Sequence, residues 1–169
     1  MSTASIKSLC GRILSLRLLD AAAGLSLLLG LATALPASAS SPQAIPMQLA
    51  GSGAFYVKAS LDTRVSTEML LDTGSGYVSL SDETFAKIKD QPGTVFSRYI
   101  TGVMANGQAS RVPVYSIAEL KLSEACVLRD VEVAVFRNAK RDILGLSALK
   151  QMQPLTLQLD PPVLTASCG

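Results

Sequence analysis

Two apolar strand ends, Met69-Leu70-Leu71 and Val78-Ser79-Leu80, close on the short polar turn Asp72-Thr73-Gly74-Ser75. That junction restricts the chain more than any other feature. A carboxylate on a glycine turn between two hydrophobic strands is held rigidly by its surroundings and stays open to whatever approaches the turn.

The sequence around the junction reads as many short strands. Phe55, Val57, Ala59 and Leu61 recur at period two, and Asp62-Thr63-Arg64 turns the chain into a returning strand that ends at Leu71, so a hairpin delivers Asp72. Ser81 is a helix cap, with Asp82 and Glu83 in the first turn, Phe85 and Ile88 on the apolar face, and Pro92-Gly93 as the stop. Asn106-Gly107, both tolerant of positive φ, joins Tyr99–Met104 to Gln108–Tyr115 as an exposed β-arm. Further strands follow at Ile117–Leu122, at Val131, Val133 and Val135, and at Leu155, Leu157 and Leu159, with a short helical turn over Ser147–Met152. Many short strands with one or two short helices predict an all-β fold, a compact closed β barrel.

The first 39 residues read as a targeting segment. Lys7, Arg12 and Arg17 precede an apolar run from Ala21 to Leu35, and Ala37-Ser38-Ala39 offers a small-x-small cleavage site. The competing reading is an uncleaved membrane anchor, but the run has 15 residues and begins just after Asp20, against roughly 20 residues needed to span a bilayer. The expectation is export, periplasmic or secreted, with membrane anchoring as the alternative. Residues 40–52, with Pro42, Pro46 and Gly51, read as a flexible linker, residues 53–160 as the folded domain, and residues 161–169, behind Pro161-Pro162, as a C-terminal tail.

Charge and cysteine content narrow the functional classes. After residue 39 the chain holds 12 basic and 12 acidic residues, with no basic tract of the kind that binds nucleic acid. It contains no histidine, which excludes Ser-His-Asp and Cys-His mechanisms. Neither Cys126 nor Cys168 stands in a metal-ligand cluster, so neither a metal nor another cofactor is expected. In an oxidising compartment these two cysteines can stay free, pair with each other, or pair across a dimer.

One carboxylate positions and deprotonates a water, yet peptide hydrolysis also needs a proton donor. Two opposed carboxylates sharing a proton supply both. The chain has a single Asp-Thr-Gly, so a symmetric homodimer is the direct way to set Asp72 against a second Asp72. In such a pair Gly74 permits close approach, Thr73 ties the two loops through its hydroxyl, and Ser75 supports Asp72 by a short-range hydrogen bond.

Asp72-Thr73-Gly74-Ser75, Ala105-Asn106-Gly107 and Ile143-Leu144-Gly145-Leu146, in that order, resemble the signatures of the retropepsin-like aspartic proteases, especially the bacterial, exported or membrane-associated single-domain group. The resemblance runs from Phe55 to Leu159. It implies a barrel of the acid-protease type, with a β-hairpin flap over a peptide cleft and with Leu144 and Gly145 packed near the catalytic loop. It also implies an aspartic endopeptidase in which water activated by Asp72 attacks the peptide bond at a homodimer interface, on peptide or protein substrates. Residue for residue, Asp72 takes the catalytic position, Thr73, Gly74 and Ser75 support it, and Met104, Ala105, Asn106 and Gly107 form the flap or bind substrate. A catalytically inactive peptide-binding or assembly domain of the same fold is the alternative. Departures from the pattern are Ser75 where many bacterial relatives have alanine, the extra Gly76, and the lack of an alanine-arginine or glycine-arginine pair after the hydrophobic-glycine segment. Asp142, beside Arg141, reads as a solvated residue or structural ion partner.

Overall fold

A computed structural model describes residues 41–104 and 107–168. The targeting segment at 1–39 lies outside the described residues. Ten strands and two short helices follow in the order β1 (Gln43–Leu49), β2 (Phe55–Leu61), β3 (Val65–Leu71), β4 (Val78–Ser81), α1 (Asp82–Ala86), β5 (Val95–Val103), β6 (Ala109–Ser123), β7 (Cys126–Phe136), β8 (Asp142–Leu144), α2 (Leu146–Leu149), β9 (Met152–Leu159) and β10 (Pro162–Cys168). Among the described residues no helix is long and apolar enough to cross a membrane.

Six strands close a ring. Going round, β6 pairs β7, then come β4, β8, β3 and β2, and β2 returns to β6 through Ser60 opposite Lys121 and Leu61 opposite Leu120. The period-two residues of these strands fill the interior: Leu61, Met69, Leu80, Ile117, Leu120, Leu128, Val133 and Leu144 are all buried in one cluster. Side chains alternate across a strand, so β2 sends Val57, Ala59 and Leu61 inward, whereas β4 buries all four of its residues.

At 15 residues β6 is too long for the ring alone. Its C-terminal part pairs with β7, and its N-terminal part pairs with β5, from Val103 opposite Ala109 down to Val95 opposite Ser116, making a projecting hairpin. A second, smaller cluster of Val112, Val114 and Ala134, with Tyr77, Ile100 and Phe136 against it, fixes the base of this hairpin to the barrel.

Helix α1 begins at its expected cap, where Ser81 Oγ accepts from the Thr84 amide at 3.2 Å. It ends at Ala86, well before Pro92-Gly93.

Both flanking segments correct the expected boundaries. The linker expected at 40–52 holds β1, whose first half pairs with β10 and whose second half pairs with β2. Ile45 and Met47 are buried there. Pro46 lies where the strand changes partner, a place where a missing N–H does not break a continuous ladder. The tail expected at 161–169 is β10, with Leu164, Ala166 and Cys168 buried between β1 and β9. Pro161-Pro162 turns the β9–β10 hairpin instead of ending the sheet, since Pro162 stands opposite Leu159 as the first residue of its strand. A Cys126–Cys168 disulfide, with Cα atoms 5.0 Å apart, ties this last strand to the start of β7.

Candidate active site

The Asp72 turn sits where three short strands meet. β8 runs parallel to β3, placing Leu71 beside Leu144, and antiparallel to β4 at Ser79 opposite Ile143. The loop from Asp72 to Tyr77 must therefore pass over the end of β8. It is bonded there at both ends: the Asp72 amide donates to Leu144 O at 3.2 Å and the Leu146 amide donates to Ser75 O at 2.8 Å. Gly145 lies directly under the loop. A Cβ at that position would stand 2.0 Å from Tyr77 O and 2.9 Å from Ser75 O, so only glycine lets the two backbones approach this closely.

The turn orients its own carboxylate. The Gly74 amide donates to Asp72 Oδ1 at 2.8 Å, and the Ser75 amide donates to Asp72 O at 3.3 Å. Among the described residues Asp72 Oδ2 has no hydrogen-bond partner. Asp72 is half-buried, and it opens into a cleft of about 510 Å³ lined by Leu70, Ser79, Phe136 and Ile143 on the barrel side and by Val103 and Met104 from the hairpin. Among the described residues Asp72 is the sole acid lining that cleft. One carboxylate oxygen is thus fixed and the other is available, a geometry suited to holding a water or sharing a proton with a second carboxylate.

The expected supporting residues divide. Gly74 contacts Asp72 as described. Ser75 does not bond the carboxylate with its hydroxyl, which donates to Tyr77 O at 2.8 Å and so stiffens the loop behind the acid. The amide of Ser75, not its side chain, reaches Asp72. Thr73 is exposed and has no hydrogen-bond partner among the described residues. Leu144 is fully buried in the core beneath the loop.

At the hairpin tip, Met104 N donates to Gln108 O at 2.9 Å and Gly107 N donates to Met104 O at 2.8 Å, with Gly107 at φ +81°. The turn tolerates that φ because glycine has no Cβ. Ala105 and Asn106 lie outside the described residues. Val103 and Met104 are 72% and 41% exposed respectively, an unusual placement for large apolar side chains unless something else covers them.

Several participants escaped the sequence reading. Ser147 Oγ accepts from the Val78 amide and donates to Glu132 O, both at 2.7 Å, bracing the exit of the Asp72 loop. Arg98, on the hairpin strand β5, makes a bidentate pair with Glu132 and donates to the Tyr77 hydroxyl at 3.1 Å. The guanidinium holds the Glu132 carboxyl below its ordinary range, and the bonds from Glu132 and Tyr77 raise the Arg98 pKa. The hairpin, β7 and the end of the Asp72 loop are thereby linked. Phe136 and the basic loop at 137–141 also reach the cleft. Their only sequence signal was three cations within five residues between two strands.

Asp142 is a correction. It is 3% exposed and, among the described residues, has no cation within ion-pair distance. Its oxygens accept from Thr67 Oγ1 at 2.6 Å, the Ser81 amide at 2.8 Å and Thr84 Oγ1 at 2.7 Å. Neutral donors stabilise a buried carboxylate without a counter-ion when they satisfy its lone pairs. Asp142 is therefore a structural tie joining β3, β8 and the start of α1.

Comparison with known proteins bears directly on this arrangement. Residues 57–151, more than half of the chain, match the family described as "gag-polyprotein putative aspartyl protease". The chain belongs to that family. Among solved structures, a retropepsin-like aspartic protease from Rickettsia conorii aligns with a TM-score of 0.56 at 19% identity, covering 75% of this chain and 90% of that one. The retroviral protease-like domain of Ddi1 from Leishmania major aligns with a TM-score of 0.47 at 17% identity, covering 62% of this chain and 81% of that one. No curated protein matches the chain. The family and the first of these alignments together establish the retropepsin-like fold, a closed six-strand barrel with two short helices. Within the family's frame the Asp72 loop, the Ile143–Leu146 segment and the hairpin stand around one cleft.

Proposed function

We propose that this protein is an aspartic endopeptidase that works as a homodimer, with Asp72 from each of two chains forming the reacting pair. The observation that carries this reading is the Asp72 carboxylate, pinned through Oδ1 by Gly74 and open at Oδ2 into a hairpin-covered cleft that holds no second acid among the described residues. The family supports it. In the paired site one carboxylate is ionised and the other protonated, because two like charges in contact do not both ionise. The ionised partner removes a proton from a water as its oxygen attacks the peptide carbonyl. The protonated partner donates to the carbonyl oxygen, and a proton then passes to the leaving nitrogen as the C–N bond breaks. In this reading Thr73, exposed and without a hydrogen-bond partner among the described residues, bonds across the dimer axis.

The substrate is a peptide held extended between the barrel and the hairpin, which offers backbone edges and the side chains of Val103 and Met104. Export is part of the same proposal. The targeting segment at 1–39 motivates it, and the Cys126–Cys168 bond fits an oxidising compartment. Cleavage of a peptide library by the purified protein, compared with Asp72→Asn, tests the assignment. Asp72→Asn should fold and dimerise as the wild type does and cut nothing. Retained binding without cleavage by the wild type would instead make the protein a peptide-binding domain.

A further inference from the structure

We infer that the cleft selects acidic peptides, an inference that rests on the proposed peptide hydrolysis and names its substrate class. The loop between β7 and β8 carries Arg137, Lys140 and Arg141, all exposed. Lys140 and Arg141 line the Asp72 cleft. Arg137 lines an adjoining cleft of about 700 Å³, and Arg111 faces it from the hairpin, with its guanidinium 3.7 Å from the centre of the Tyr99 ring. Met104 and Phe136 border both clefts, so the two adjoin at these side chains and their cations face neighbouring stretches of one surface.

Among the described residues none of these four cations has a carboxylate partner. The ion pairs among the described residues are Lys87–Glu83, Lys89–Asp90, Arg98–Glu132, Lys121–Glu124 and Arg129–Glu119, which leave these cations untouched. Two carboxylates oppose the four cations there. Asp72 is the reacting group, and Asp82 accepts from the Asn138 amide at 3.0 Å. Lys140 and Arg141 also border a neighbouring recess containing Glu68, Glu83 and Asp142, of which Glu83 is held by Lys87 and Asp142 by its three donors. Glu68 is the one carboxylate of that recess left to compete.

The chain after residue 39 is formally neutral, so the cationic surface is a local arrangement and not a reflection of overall charge. A cleft lined by one sign of charge with apolar walls concentrates ligands of the opposite sign. A peptide bearing Asp or Glu within a few residues of the scissile bond gains several charge-assisted contacts, and one bearing Lys or Arg there meets repulsion. Each such contact at an exposed site is modest, so several together give a preference of about tenfold.

The test uses three peptides that share one cleaved segment, flanked by Glu, Gln or Lys. At low salt the wild type should cut the Glu-flanked peptide with kcat/KM about tenfold above the Gln-flanked one, with the Lys-flanked one slowest, and 1 M salt should compress the order. The triple variant Arg111→Gln, Arg137→Gln, Lys140→Gln should lose the order. Anisotropy of the same labelled peptides on the Asp72→Asn protein reads the preference without chemistry. Cleavage with equal rates for all three peptides, or an order that survives the triple variant, overturns the inference. Binding in the expected order with no cleavage by the wild type preserves it and overturns hydrolysis instead.

Discussion

Replacing Gly145 by alanine puts one methyl group into the tightest place in the fold. The new Cβ would lie 2.0 Å from Tyr77 O and 2.6 Å from Tyr77 C, so the Asp72 loop or the β8–α2 junction must give way by about 1 Å to reach even the closest contact that real Cβ atoms make. The loop has little freedom to do so. Tyr77 O is held by Ser75 Oγ, Ser75 O by Leu146 N, and Val78 N by Ser147 Oγ. Overpacking plus one broken hydrogen bond costs about 2–4 kcal/mol, which lowers the melting temperature of a domain this size by about 10 °C. A shift of that size in the loop also displaces Asp72 and lowers kcat/KM about a hundredfold. Gly76→Ala is the control, since a Cβ there meets nothing within 4 Å, and its stability should stay within about 0.5 kcal/mol of wild type. Thermal unfolding and peptide cleavage by both variants are the assays. A Gly145→Ala protein that melts within about 2 °C of wild type and cleaves at the wild-type rate would refute the claim that the loop is clamped against residue 145.

Three further outcomes follow from the same contacts. Removing the Cys126–Cys168 bond by double replacement with alanine opens a loop spanning 42 residues and should cost about 2–4 kcal/mol in urea unfolding. Asp142→Ala leaves the Ser81 amide and two threonine hydroxyls without their acceptor and should destabilise by about 3 kcal/mol, whereas Asp142→Asn, which keeps an oxygen for Ser81 N, should cost less. The Glu132 carboxyl is depressed by Arg98 from its ordinary value of 4.5, so its stabilising contribution is full above that value and is lost as pH falls through the lowered folded value. Unfolding of wild type and Glu132→Gln across pH should therefore differ at neutrality and converge in acid, and salt should narrow the difference.

The site was legible where local chemistry determined it. Asp72-Thr73-Gly74 announces a carboxylate turn, and the period-two residues of β2, β6 and β7 announce barrel strands, because each signal lies within a few residues of sequence. β1 and β10 were not legible for the opposite reason. They exist by pairing with each other across more than a hundred residues of chain, and Pro46, Pro161 and Pro162 hid an alternation that only a partner change and a hairpin turn make compatible with strands. The role of Asp142 was misread because a side chain's partners depend on what the fold lays beside it, here Thr67, Ser81 and Thr84, and the Ser75 hydroxyl's bond to Tyr77 O was out of sight for the same reason. The basic residues at 137–141 were visible as charges, but their convergence on the Asp72 cleft is a property of the closed ring.

The central claim is that one reacting site needs two Asp72 carboxylates from two chains. Mixing wild-type and Asp72→Asn chains in equal amounts, with full exchange of subunits and total protein held well above the dimer dissociation constant, tests it directly. Random pairing makes wild-type homodimers about a quarter of all dimers, so activity should be about a quarter of that of the all-wild-type sample. Activity at about half, the value for sites that act one chain at a time, would contradict it.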